Sequence, residues 1–148
     1  LNEIENKDLI PFKELINNLD GIMTAHILFS EVDTRIATFS KVWIKQILRE
    51  QMKFEGMIFS DDLSMEGTNE FTSFYDKTKY AIDSGCEMIL ICNNREGVKD
   101  ALKYFRKNNI EASEKIFSML MANDVSWTDL EKNKIRVEIS TQLEKLIQ

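Results

Sequence analysis

Three short apolar runs constrain the fold of this chain more than any other feature. They cover residues 21–27, 57–60 and 87–92, and they carry almost no charge. Such runs are typical of strands buried on both faces of a parallel sheet. They recur about every 33 residues, which is the length of one strand–helix unit. The spacing therefore predicts an α/β architecture with parallel strands and right-handed crossovers.

Apolar residues at spacings of three and four predict helices between and after these strands. Ser40 is a suitable N-cap for one of them, and Gly85 suits a left-handed C-cap of another. After Asn109 the pattern predicts two further helices with no strand between them. The predicted helices are 6–18, 40–51, 74–84, 96–107, 113–121 and 128–147, with loops at 30–38 and 66–72 and a break at 123–127. We therefore expect one domain over 1–148, with strand–helix units over 1–109 and C-terminal helices over 110–148.

The number of strands leaves two architectures open. A closed (β/α)8 barrel needs eight units and about 250 residues, whereas this chain has 148 residues. It is either a small three-layer α/β domain or the C-terminal part of a TIM (β/α)8 barrel. The first residue, Leu1, is not a start methionine, and a helix precedes the first strand. Both observations favour the barrel part.

Composition excludes several classes of function. The chain is 43% hydrophobic and 30% charged, as in an ordinary globular protein. The net charge is −6 and no basic run stands out, which argues against nucleic acid as a ligand. No apolar stretch approaches the roughly 18 residues of a membrane span, and the first residues do not resemble a signal peptide. No glycine-rich phosphate loop follows a strand, so a nucleotide-binding domain is disfavoured.

The two cysteines, Cys86 and Cys92, lie in or beside the third apolar run. Their spacing matches no zinc-binding pattern, so no metal site is predicted. We expect both to be buried free thiols, a common state of cysteine. This usage fits the reducing environment of the cytoplasm.

Two adjacent carboxylates, Asp61 and Asp62, end the second strand. In parallel α/β folds the chemistry gathers at the carboxyl ends of the strands, so a carboxylate there is a candidate nucleophile or base. Consecutive strand residues point to opposite sides, and at most one of the pair can face the site directly. On these residues alone, the alternative that both merely cap the following turn stays open.

Other polar or polarisable residues lie at the ends of neighbouring strands. His26 is the only histidine and ends the first strand, where it is either a structural hydrogen-bonding residue or a substrate contact. Met23 and Met65 also lie near strand ends, and we expect them to line a pocket. Asn93 and Asn94 end the third strand, where they either bind sugar hydroxyls or simply terminate it.

Several separated motifs occur in one order along residues 6–95. They are LIPF at 9–12, MTAHI at 23–27, FS at 39–40 with ILR at 47–49, GMIFSDDLSM at 56–65, and GCEMIL at 85–90. Together they resemble the C-terminal half of the barrel of bacterial β-N-acetylhexosaminidases of glycoside hydrolase family three. Beyond residue 95 the resemblance is limited to a helical pattern.

The resemblance implies a retaining glycosidase. Asp61 takes the position of the family's nucleophile, which attacks the anomeric carbon to form a covalent glycosyl-enzyme that water then hydrolyses. Asp62 supports the loop, and His26, Met23 and Met65 are candidate substrate-binding residues. The implied substrates carry terminal β-linked N-acetylglucosamine, as muropeptide fragments of cell-wall recycling or chitobiose-like sugars. The resemblance implies no metal and no organic cofactor.

The family's acid/base group is a His–Asp dyad on a loop that precedes the matched region. Neither this dyad nor the family's upstream Lys-His segment occurs in the sequence, and His26 matches the later Ala-His strand end instead. General acid–base help is typically worth 10²–10⁴-fold, so we expect the chain alone to be inactive. The alternative is a noncatalytic half-barrel that associates, through its unpaired strand edges, with its missing N-terminal half or with itself.

Overall fold

A computed structural model describes residues 2–120 and 125–147 of the chain. Its sheet has three parallel strands in the order β1-β2-β3. These strands are β1 Gly21–Met23, β2 Met57–Asp62 and β3 Met88–Leu90. Spatial order follows chain order, and helical segments connect the strands. The predicted α/β class with a parallel sheet is confirmed.

Helical segments surround this sheet and continue beyond it. The α-helices are α1 Asn2–Asn6, α2 Ile10–Leu15, α3 Phe74–Ser84, α4 Arg95–Asn108, α5 Trp127–Glu131 and α6 Lys134–Ile147. A π-helix spans Val42–Gln51, and short 3-10 segments occur at Ile16–Asn18, Ala37–Phe39, Glu66–Thr68 and Glu114–Met119. Among the described residues, no helix is long and apolar enough to cross a membrane.

The bounds of α3 agree with the predicted helix because both of its ends are capped by local chemistry. At the start, the Ser73 hydroxyl accepts the Asp76 N–H at 3.0 Å. At the end, Gly85 has φ 118°, a conformation that costs glycine little. The bounds of α4 differ from the prediction by one residue at each end, and Asn94 and Asn109 cap it.

Several predicted helices and strands have other bounds in the structure. A continuous helix over 6–18 is wrong: residues 7–9 form a turn between α1 and α2, and Pro11 lies in the first turn of α2, where proline is tolerated. The predicted helix over 40–51 is a π-helix, and its last turn closes with a bond from the Met52 N–H to the Ile47 carbonyl at 2.9 Å. β1 and β3 are shorter than predicted, whereas β2 extends to Asp62.

The C-terminal segment also departs from the predicted helices. The predicted helix over 113–121 is a short 3-10 segment, Glu114–Met119, within the described residues. The predicted helix over 128–147 is divided at residues 132–133 into α5 and α6. The predicted break at 123–127 lies partly outside the described residues.

The sheet packs its helix-facing side into the hydrophobic core. Ile22 pairs in register with Ile58, and both pack with helical side chains. The fully buried core comprises Phe39, Ile44, Phe54, Ile58, Leu63, Ala81 and Cys86. The opposite face of the sheet carries the next register pair, Met23 and Phe59, and Met23 is 54% exposed. Parallel sheets are normally covered on both faces. Met57 on this face is 1% exposed, so only the part around Met23 is uncovered, and we call that part the open face.

A bulge in β2 lies between Phe59 and Asp62. Phe59 pairs with Met88 and Asp62 pairs with Leu90, so three steps along β2 match two along β3. The buried Ser60 hydroxyl accepts the Leu90 N–H at 3.0 Å, where a regular ladder bond is interrupted. Bulges redirect side chains, and this one lies in the stretch of β2 that contains Asp61.

Candidate active site

The three strands end at one edge of the sheet, which we call the rim and define by Met23, Asp62 and Leu90. The strands are parallel, so the loops that follow them meet here. Asp61 lies in β2 one residue before its end, and His26 follows β1 by three residues. The structure therefore brings the predicted nucleophile and the histidine to the same edge, as parallel topology requires.

The Asp62 carboxylate accepts hydrogen bonds from nearby backbone N–H groups. Its Oδ1 accepts the Ser64 N–H and the Cys92 N–H, both at 2.9 Å. Burial works to raise the pKa of Asp62, but these N–H donors outweigh it, and the pKa lies below its usual value. Asp62 thus ties the turn after β2 to the end of β3 and stays ionised at neutral pH.

Only one oxygen of the Asp61 carboxylate accepts a hydrogen bond from the described part of the chain. Its Oδ1 accepts the Asp62 N–H at 2.7 Å, and the side chain is partly exposed. Its Oδ2 makes no hydrogen bond to any other residue that the structure describes. A carboxylate held at one oxygen and open at the other has the arrangement that attack on an electrophilic carbon requires.

His26 connects the loops that follow β1 and β2. Its Nε2 donates to the Asp62 carbonyl at 2.9 Å, because a carbonyl oxygen can only accept. Its Nδ1 shares a 2.9 Å hydrogen bond with the hydroxyl of Thr38, a residue with no exposed surface. Both ring nitrogens are therefore engaged within the chain, one of them by the backbone of the second aspartate.

The two candidate methionines lie on different parts of this edge. Met65 is 48% exposed and belongs to the turn after β2, where its N–H donates to the Asp62 carbonyl at 3.0 Å. Met23 also lines an apolar cavity of about 410 Å³ between α1, α2, β1 and the π-helix. Neither Asp61 nor Met65 lines this cavity, so it is separate from the carboxylates.

The cysteines differ from each other in exposure. Cys86 is buried, and burial raises the pKa of its thiol to about 12. Cys92 is exposed, so the prediction that both thiols are buried is wrong for it. Cys92 follows the end of β3 on the rim, where desolvation and then the Asp62 and Asp61 carboxylates raise the pKa of its thiol. Both cysteines are free.

The two asparagines after β3, Asn93 and Asn94, differ in their structural roles. The Asn94 side chain accepts the Gly97 N–H at 2.8 Å and caps α4. Asn93 takes a left-handed backbone conformation, with φ 55°. Within residues 2–120 and 125–147, no group of three or more His, Cys, Asp or Glu side chains is placed to hold a metal ion.

Two polar residues of the site carry no signal of their own in the sequence. Thr38 contacts His26 from a predicted loop, and its hydroxyl donates to the Ala25 carbonyl at 3.1 Å. Lys77 is one of many charged residues in α3, yet its side chain is buried beneath the turn after β2. Only tertiary packing distinguishes Lys77 from its exposed neighbour Lys79.

Comparison with known proteins identifies the family of this chain. The model for the glycosyl hydrolase family 3 N-terminal domain matches residues 1–120. The chain belongs to this family. A beta-hexosaminidase of Actinobacillus pleuropneumoniae is 40% identical over 133 residues, which are 86% of this chain and 38% of that protein. A beta-hexosaminidase of Haemophilus influenzae is 38% identical over 135 residues, with the same coverage of both chains.

Solved structures agree with this family assignment. NagZ from Neisseria gonorrhoeae in complex with N-trifluoroacetyl-D-glucosamine superposes with a TM-score of 0.73 at 32% identity. That match covers 89% of this chain and 38% of the Neisseria chain. The predicted family and the TIM-barrel type of fold are thus confirmed, and the chain spans less than two-fifths of these relatives.

Proposed function

We propose that this chain carries the catalytic nucleophile of a retaining β-N-acetylhexosaminidase, and that Asp61 is that nucleophile. The open Oδ2 of Asp61 at the carboxyl end of β2 is the observation that carries the proposal. In contrast, Oδ1 of the neighbouring Asp62 accepts two backbone N–H groups and stabilises the turn. The names of the relatives support the reaction class.

The proposed reaction has two displacements at the anomeric carbon. An oxygen of Asp61 forms a bond to that carbon while the glycosidic C–O bond breaks, and the leaving oxygen takes a proton from a general acid. Water then attacks the same carbon and gives up a proton, and the Asp61 carboxylate is released. The general acid and base belong to the part of the barrel that the family places upstream of these residues.

The other rim residues have supporting roles in this proposal. Asp62 holds the turn, and His26 keeps the loop after β1 against it through the Asp62 carbonyl. Met23 and Met65 present half-exposed apolar surface, which suits the apolar face of a sugar ring or its N-acetyl methyl group. His26, whose ring nitrogens are both engaged, contacts a sugar only through its carbon edge.

The proposed substrates carry a terminal β-linked N-acetylglucosamine, either in muropeptide fragments released during cell-wall recycling or in chitobiose-like sugars. The Neisseria relative was solved with N-trifluoroacetyl-D-glucosamine, a derivative of this sugar. We place the reaction in the cytoplasm, in keeping with two free cysteines.

We further propose that the 148-residue chain is inactive alone and associates with the preceding part of its barrel, or with a second copy in its absence. The observation that favours association is the open face of the sheet, where Met23 is half exposed. Within the described residues, β1 and β3 each pair on one side only. Exposed strand edges and apolar faces recruit partners.

Asp61→Ala in a reconstituted enzyme tests the nucleophile. This chain is co-expressed with the N-terminal segment of the Haemophilus influenzae relative that precedes the match, and hydrolysis of a chromogenic aryl N-acetyl-β-glucosaminide is followed. Asp61→Ala is expected to lower kcat by at least about 1,000-fold. The matched control is Glu66→Ala, which removes an exposed carboxylate from the following loop and leaves the rate unchanged.

Mass spectrometry of the intact protein and of its proteolytic peptides, after reaction with a slow fluorinated substrate, gives a second readout. The expected adduct is one sugar on the peptide that contains Asp61, absent from the Asp61→Ala protein. An active Asp61→Ala enzyme, or an adduct on another residue, contradicts the assignment. Hydrolysis by the 148-residue chain without its partner contradicts the proposed inactivity but not the role of Asp61.

A further inference from the structure

Lys77 is buried beneath the turn that carries the aspartates. It belongs to α3 and is 4% exposed, although lysine is almost never fully buried unless it is paired. No carboxylate lies within ion-pair distance of its ammonium group in residues 2–120 and 125–147. Burying an unpaired charge is costly, so the placement of this cation calls for a specific partner.

That partner is the backbone immediately after the aspartates. The Lys77 Nζ donates to the Leu63 carbonyl at 3.0 Å. Leu63 has no exposed surface, and its own N–H donates to the Leu90 carbonyl at 2.9 Å. The Thr68 hydroxyl lies 2.9 Å from the same Leu63 carbonyl and 2.8 Å from the Met65 carbonyl, and its one proton is shared between them. Leu63 is thus held at both its N–H and its carbonyl, directly after Asp61 and Asp62.

Electrostatics connects the same cation to the Asp62 carboxylate. Burial lowers the pKa of Lys77, and attraction to Asp62 opposes part of that effect. The Lys77 ammonium also lies 4.9 Å from the centroid of the Phe74 ring, a favourable cation–π distance. The titratable groups around the turn include Asp61, Asp62, the Cys92 thiol and the His26 ring, which donates to the Asp62 carbonyl. Lys77 supplies a positive charge at the Leu63 carbonyl of the same turn.

We propose that Lys77 is a positioning residue for the nucleophile: it holds the turn at 61–63 through the Leu63 carbonyl and places a buried positive charge beneath the two aspartates. This inference rests on the proposed function of Asp61 for its effect on catalysis. Its structural part, the hold on the turn and the attraction to Asp62, does not depend on hydrolysis. A buried cation there opposes the repulsion between two adjacent carboxylates.

Lys77→Met removes the charge and keeps an unbranched apolar stem. In the reconstituted enzyme we expect kcat to fall about 10- to 100-fold with KM within about twofold of the parent value, since a shifted nucleophile affects the reacting geometry more than binding. Lys77→Arg, which restores the charge and the donor, is expected to recover part of this loss. Lys79→Met is the matched control, because Lys79 is exposed in the same helix and its charge lies away from the turn.

NMR titration of the 148-residue chain separates positioning from catalysis. Lys77→Met is expected to raise the pKa of the Asp62 carboxyl, because a nearby cation favours the ionised form. Thr68→Val removes the neutral donor to the same Leu63 carbonyl and keeps the side-chain shape, so it is expected to leave the pKa of Asp62 unchanged. In the parent chain the Lys77 ammonium is expected to titrate below 10.5.

Each outcome supports or overturns the proposal. An unchanged kcat together with an unchanged Asp62 titration in Lys77→Met overturns it, as does an equal change of the pKa in Thr68→Val. If Lys77→Met does not fold, a Lys77 that titrates like an exposed lysine in the parent chain overturns it. An altered Asp62 titration with no activity in any reconstituted enzyme supports the positioning and contradicts the proposed hydrolase function only.

Discussion

At the scale of residues, the two adjacent aspartates of this site differ in their hydrogen bonds. Asp61 and Asp62 are chemically identical, yet Asp62 accepts two backbone N–H groups and Asp61 keeps one oxygen open. His26 also donates to the backbone carbonyl of Asp62, so Asp62 is held at both its side chain and its backbone. The local environment, and not the residue type, thus decides which carboxylate is available for chemistry.

The stability that Asp62 provides is expected to depend on pH. The pKa of Asp62 in the folded chain lies below its ordinary value of 3.8, because backbone N–H bonds outweigh burial. Its contribution is therefore complete above that value and is lost as the pH falls through the lower folded pKa. The free energy of unfolding of the parent and of Asp62→Asn, measured by urea denaturation, is expected to differ most above pH 3.8 and to converge below it.

Other aspartates with lowered pKa values do not affect the comparison between the parent and Asp62→Asn. The pKa values of Asp33 and Asp100 are lowered as well, chiefly by the Ser40 hydroxyl and the Tyr75 N–H respectively. Both residues are present in both proteins, so their contributions cancel in the difference. A difference between parent and Asp62→Asn that does not change with pH contradicts the role given to Asp62.

At the scale of elements, one carboxylate joins parts of the chain that are distant in sequence. Glu87 precedes β3, and its Oε2 accepts from Arg49 of the π-helix at 2.7 Å and from the Ile58 N–H of β2 at 3.0 Å. Its Oε1 pairs with Lys115 of the Glu114–Met119 segment at 3.1 Å. The end of the sheet opposite the rim is therefore organised around Glu87.

Glu87→Ala is expected to lower the free energy of unfolding by about 2–3 kcal/mol, because it leaves a buried N–H and a cation without their acceptor. Urea denaturation measures this loss, and hydrogen exchange is expected to be faster at Ile58 and across the Glu114–Met119 segment. The control is Glu96→Ala, whose exposed pair with Lys99 is expected to contribute less than about 1 kcal/mol. Equal losses in the two variants contradict this account of Glu87.

At the scale of the whole molecule, the sheet is covered on one face and uncovered around Met23 on the other. The helix-facing side contains the buried Ile58, whereas Met23 on the opposite face is half exposed. A parallel sheet in this state leaves apolar area in water that association would bury. The same face in the relatives belongs to a chain more than twice as long, since only 38% of each is matched.

Association of the chain with itself is expected to make its thermal midpoint depend on concentration. Binding that favours the folded state raises Tm by mass action, so Tm is expected to rise as the protein is concentrated. Met23→Lys places a charge on the open face next to the β1 edge and is expected to remove this dependence. Val98→Lys, at a partly exposed site on α4, is expected to retain it. A parent Tm that is independent of concentration contradicts self-association.

The sequence by itself determined the elements that local chemistry controls. Apolar runs predicted three parallel strands, and the caps at Ser73 and Gly85 match the predicted bounds of α3. The order of motifs predicted the family, because family signatures are carried by residue identity. The position of Asp61 at the end of a strand also followed from sequence, since strand ends and chemistry coincide in parallel folds.

Tertiary structure decided what depends on contacts between distant residues. The bulge between Phe59 and Asp62 arises from pairing with β3, which no local pattern encodes. The buried Lys77 and the Thr38 support of His26 resemble ordinary helix and loop residues until α3 and the loops pack on the strand ends. Burial and hydrogen-bond partners are properties of the packed chain, and they alone separate the open carboxylate from the occupied one.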